Sequence, residues 1–214
     1  MAHESAVFQF ARDAVRGTLG TSTDVDSCVA LTARINQLLD QARESFQGSG
    51  ASIACRAGCT FCCHLRVMVM PHEAIALFRY LGSGMPGPMA ETVRRRLLEY
   101  AGANRESGEP GGTACAFLVD GMCSAYEVRP AACASFHSLS RQRCLENHER
   151  PSAAGATPVL QSLQHVAAEL DAGLEQGLAD AGFATARMEL QAAVVALLRN
   201  PSLIARWRAG RELT

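Results

Sequence analysis

Eight cysteines in two groups of four constrain this chain more than any other feature. Cys55, Cys59, Cys62 and Cys63 fall within nine residues, and Cys115, Cys123, Cys133 and Cys144 begin about fifty residues later. A core must form that accommodates all eight thiols. A ninth, Cys28, stands apart on a helix-patterned stretch and reads as a small buried apolar residue.

Whether such thiols are disulfides or ligands depends on the compartment. Residues 1–20 carry acidic Glu4 and Asp13, with no basic region leading into an apolar one, so no secretory signal is expected. The longest near-apolar run, 191–198, is far short of the roughly 20 residues a membrane helix needs. The expected location is the cytoplasm, where thiols stay reduced. An odd number of cysteines also argues against a disulfide framework. The net charge of −1 supplies no field towards nucleic acid or a membrane, and no basic run exceeds Arg94–Arg96. Cysteines as metal ligands are the expectation that remains.

On an ideal helix the first four cysteines would share an arc of about 100°, yet spread over about 12 Å of axis. Thiolates on one zinc ion lie within about 4 Å of each other. Either Gly58 breaks the helix and a loop wraps the metal, or the four are shared between two centres. The adjacent pair Cys62 and Cys63 favours sharing. Four thiolates around Zn²⁺ or a [4Fe–4S]²⁺ core leave a charge of about −2, which calls for nearby cations. Arg56, Arg66 and Arg129 stand close in sequence. Arg129, within Tyr126-Glu127-Val128-Arg129-Pro130, is expected to support the site together with Tyr126, as the residues touching the bound cofactor. His64, His137 and His148 lie one or four residues after a cysteine, but eight thiols already suffice. Glu73 reads as a first-turn helix residue rather than a general base. No Ser-His-Asp order, P-loop or Gly-x-Gly-x-x-Gly pattern is present.

The remaining pattern predicts a mainly α fold, with helices around a small irregular, hairpin-containing cysteine-rich core. Helices are expected over 5–17, from caps at 23–26 to about 46, from Pro71 to 81–82, and over 89–102. The Arg94–Arg96 triplet reads as a solvated helix face. A stripe of Leu160, Leu163, Val166, Ala167, Leu170, Leu174 and Leu178 marks a long helix, followed by helices over 184–198 and from Pro201 through Trp207. Residues 66–70 look extended, and 106–112 form a polar loop. Residues 115–123 read as a hairpin turning at Asp120-Gly121 and presenting one thiol from each strand. Pro130 is expected to start a short helix carrying Cys133. Three segments result: 1–50 and 151–214, both helical, flank a cysteine-rich core over 51–150.

These motifs together (Cys55-x3-Cys59-x2-Cys62-Cys63, Glu73, then Cys115-x7-Cys123-x2-Tyr126-x2-Arg129-Pro130-x2-Cys133 and Cys144) resemble the YkgJ-type cysteine-cluster family, labelled CxxCxxCC. The resemblance covers about residues 55–144. It implies metal binding by the eight cysteines, with zinc and iron–sulfur centres, a 4Fe-4S cluster among them, both proposed for such proteins. One branch looks like flagellin lysine methylases, so enzymatic members exist. Here the first gap is three residues where the label writes two, and the helices at 1–46 and 157–208 lie outside the likeness. The expected function is a metal-binding protein holding an iron–sulfur cluster or multinuclear site, with a redox or protein-modifying role. The rival is a structural zinc module whose flanking helices bind a protein partner.

Overall fold

Pro71 presets a helical φ and lacks the N–H that a first turn leaves unpaired. The helix it opens, α3 (Pro71–Ser83), is the buried axis of the protein. The computed structural model describes residues 5–19, 25–107 and 113–213. Along α3, Ala74, Ile75, Leu77 and Leu81 are buried, and so are the polar His72 and Glu73. α2 (Val25–Gly48) and α8 (Leu190–Arg199) pack on this axis, and α4 (Gly87–Ser107) lies against both α3 and α8. α1 (Ala6–Leu19) runs along α7 (Gln161–Asp180), which bears the leucine stripe. Shorter helices α5 (Ala131–Ser135), α6 (Arg141–Glu149) and α9 (Leu203–Arg208) complete the set. One apolar cluster joins Ala11, Leu39, Ile75, Leu97, Leu174, Val194 and Trp207, so N-terminal, central and C-terminal stretches share a core.

The fold is mainly α, as the sequence predicts, and its strands are two residues each. β1 (Met68–Val69) pairs antiparallel with β4 (Met188–Glu189), and β2 (Leu118–Val119) with β3 (Met122–Cys123). The hairpin turns where expected: Asp120 and Gly121 have φ of 50° and 75°, the left-handed pair a two-residue turn demands. Its ladder starts only at Leu118, so Cys115 precedes the strand instead of sitting on it.

Three further expectations are corrected. The helix expected from residue 184 begins at Leu190, because Met188 and Glu189 pair with β1 and the Glu189 carboxylate then caps the helix by accepting from Ala192 N–H at 2.7 Å. Nor is the arginine triplet wholly solvated. Arg95 pairs with Glu99 on the surface, but Arg94 donates to the Leu81 carbonyl and Arg96 to that of Leu118, tethering the hairpin to α4. α4 also continues to Ser107, past the expected end at 102. The cap candidates Thr23 and Asp24, and loop residues 108–112, lie outside the described residues.

Candidate metal centre

Gly58 settles the local geometry of the first cysteine group. Its φ of 80° is one that a side chain would strain, and it closes a turn in which Cys59 N–H donates to the Arg56 carbonyl. Cys55 and Cys59 therefore lie on irregular chain. Cys62 and Cys63 follow on a one-turn 3₁₀ helix over Phe61–His64. The chain breaks at Gly58, so the first four cysteines do not lie along one helix. In a 3₁₀ turn adjacent side chains project about 120° apart, yet the Cys62 and Cys63 thiols stay close enough to hydrogen-bond each other.

The second group reaches the first through backbone as well as side chains. Cys115 N–H donates to the Cys63 carbonyl at 2.7 Å, Ala54 N–H to the Ser138 carbonyl at 2.9 Å, and Ser138 N–H to the Cys55 sulfur at 3.2 Å. Among the described residues no two cysteines are joined as a disulfide. Seven of the eight grouped cysteines line a single cavity of about 660 Å³. Cys144 is buried on α6, and its charge is felt by Cys55. Cys28 is buried on α2 in the apolar core, as expected.

Burial sets the electrostatics. It pushes the Cys55 and Cys115 thiols up to about 11, and the neighbouring thiols add to the shift in both cases. Cys62 is raised first by its hydrogen bond with Cys63 and then by burial. Cys133, although exposed at the cavity edge, is raised above the usual thiol range by the protein packed around its thiol, followed by the charges of Cys115, Cys123 and Cys62. Cys123 is raised by burial too, against the pull of the Ala125 N–H and the Arg129 guanidinium. Without metal these five thiols thus hold their protons. Among the described residues no three His, Cys, Asp or Glu side chains are placed to hold an ion as they stand. Loading must displace protons and turn thiols inward. The donor set itself suits the groups in question, since clustered thiols are the ligands of zinc and iron–sulfur centres.

Residues far away in sequence hold the cysteine segments. Glu73 is buried, and its two carboxylate oxygens accept from Met70 N–H and Ala131 N–H, each at 2.8 Å, fixing the start of the Cys133 helix to the start of α3. Burial raises its pKa to about 7 against those two bonds. The Gln191 side chain accepts from Ala116 N–H at 2.8 Å, next to Cys115. Arg129 stacks over the Tyr126 ring at 3.7 Å, donates to the Tyr126 carbonyl, and pairs with Asp40 of α2 at 2.8 Å. Arg129 and Tyr126 both line the cavity, as does His137, whose Nε2 bonds the Ala134 carbonyl. The His64 and His148 rings stand 4.4 Å apart beside Phe61. Asp40, Gln191 and the second bond of Glu73 are contacts that sequence reasoning misses, because each spans more than fifty residues.

No helix among the described residues is long and apolar enough to cross a membrane. Comparison with known proteins finds no match among curated proteins or solved structures. A family model does match, over residues 54–167, which is every grouped cysteine and the first turns of α7. By that match the chain belongs to the CxxCxxCC family, whose domain is described as zinc- or iron-chelating.

Proposed function

We propose that the eight grouped cysteines are the ligands of a thiolate-bound metal centre, and that this centre is an iron–sulfur cluster or multinuclear site serving redox or protein-modifying chemistry. The observation that carries the reading is convergence. Seven thiols from the Gly58 loop, the 3₁₀ turn, the hairpin and α5 meet at one cavity without forming disulfides. Cys55 feels the charges of Cys59, Cys62 and Cys144, whereas Cys133 feels those of Cys115, Cys123 and Cys62. This neighbourhood supports two sets, Cys55-Cys59-Cys144 and Cys115-Cys123-Cys133, with the adjacent pair Cys62 and Cys63 giving one thiolate to each. When bound, such a centre supplies one-electron transfer or a Lewis-acidic site. The chain's own residues bring the segments together and place Arg129 beside Cys123.

The alternative is a structural zinc module, in which metal closes the loops and the helices outside the family match bind a protein. Among the described residues the helices hold the loops directly, through Glu73, Gln191 and Asp40. That observation favours a centre with a further task over one needed only for closure.

Single replacements test the ligand set. Cys59→Ser and Cys123→Ser are each expected to lower metal content per chain, and Cys28→Ser to leave it unchanged. Metal analysis of the purified variants reads this directly, and equal stoichiometry in all three would refute the assignment.

A further inference from the structure

Seven large hydrophobic side chains are notably exposed among the described residues, and four of them edge the cysteine cavity: Leu65 at 57%, Met68 at 41%, Met122 at 51% and Tyr126 at 51%. They come from four separate pieces of chain: the end of the first cysteine loop, β1, the hairpin and the turn before α5. Such gathering at one mouth is what an interface looks like before its partner arrives. The composition fits as well, since Met, Tyr and Arg are the types enriched at the centre of protein contacts. Tyr126 is already held in place by the Arg129 guanidinium stacked on its ring at 3.7 Å, which lowers the entropy lost when it is covered.

Positive charge predominates around the mouth. Four arginines and a single glutamate line the cavity. Arg43 is matched by Asp40 and Glu44, and Arg129 by Asp40. Glu189 is engaged in capping α8. The Arg56 and Arg66 side chains are left exposed, with no ion pair or side-chain hydrogen bond among the described residues. Two unmatched cations flank an apolar rim.

We infer that the cavity mouth is a docking surface for an extended segment of another protein in which carboxylate side chains alternate with apolar ones. The carboxylates pair with Arg56 and Arg66, and the apolar side chains cover Leu65, Met68, Met122 and Tyr126. A protein fits better than a membrane, because the two exposed arginines fall short of the cluster of basic residues that holds a protein on an anionic bilayer. The inference rests on the proposed metal centre only in naming what the docked segment is brought to.

The probe is a fluorescein-labelled peptide alternating glutamate with leucine, titrated by fluorescence anisotropy into the full chain as purified with its metal. Peptides of the same length alternating glutamine or lysine with leucine run beside it. The glutamate peptide is expected to bind most tightly and to weaken as salt rises. Arg56→Gln combined with Arg66→Gln should lower its affinity about tenfold, and Met122→Asp should lower it too, with metal content read on both. Absence of saturable binding, equal binding of the lysine peptide, or a double variant that binds like the wild type would each overturn the inference. So would loss of metal from the double variant, since the arginines would then belong to the centre's own charge balance. Binding to phosphatidylserine vesicles without binding of the peptide would assign the mouth to a lipid surface and overturn it as well. Metal is measured on every sample: a metal-free wild-type chain refutes the metal-centre reading by itself, and a metal-bearing chain that ignores the peptide refutes the docking alone.

Discussion

Cys55 and Cys115 carry a consequence that can be measured without any metal. Each thiol is raised from 9.0 to about 11, burial being the largest cause. A thiol whose pKa is higher folded than unfolded favours the fold while it stays protonated. That contribution is full below pH 9 and is lost as the pH rises through about 11. The metal-free protein should therefore lose melting temperature across this window, while metal-loaded protein, whose thiolates have already released their protons, should not. Thermal melts of both forms at a series of alkaline pH values check this, and a flat profile for the metal-free form would contradict the burial of these thiols. At this scale the sequence was most legible. The gathering of the grouped thiols and the separate, buried place of Cys28 follow from residue type and spacing, whereas the break at Gly58 was one of two arrangements that spacing left open. The role of Glu73 was half legible: its place in a first helical turn can be read, but its bond to Ala131 N–H, 58 residues on, cannot.

Helices were legible where an apolar period ran long enough to count, as along α7 and α3. What escaped was what their glycines do. Gly173 and Gly177 sit within the leucine stripe of α7, one turn apart, and let α1 approach backbone to backbone. A Cβ at Gly173 would collide with the Phe8 carbonyl oxygen, and one at Gly177 would stand 2.9 Å from that of Arg12. Because neither atom belongs to a flexible side chain, the helices themselves must part. Gly173→Ala should cost about 2 kcal/mol despite its better helix propensity, read as a lower midpoint in denaturant unfolding; an unchanged or higher midpoint would show that α1 is not packed this closely. The two-residue strands were the least legible elements. β4 has no period of its own and abuts α8, so its residues read as the helix's first turn until pairing with Met68 and Val69 is seen. Pairing of that kind depends on chain more than a hundred residues away.

Across the whole molecule, stretches on both sides of the family match hold the cysteine core. Asn36 and Asp40 of α2 bind the Glu127 carbonyl and Arg129, and Gln191 of α8 binds Ala116. The segments drawn from sequence as flanking helices are in this sense the frame in which the cysteine loops are hung. The cavity they frame opens through an apolar, arginine-edged mouth, which is where a redox partner or a protein to be modified would have to arrive. The most direct measurement is anaerobic purification of the full chain, followed by a visible absorption spectrum and elemental analysis for iron, zinc and acid-labile sulfide. A brown protein with matching iron and sulfide is the predicted result. A colourless chain with all nine thiols free to titrate and no bound metal would contradict the account, and stoichiometric zinc without sulfide would keep the ligand set while turning the centre into a structural one.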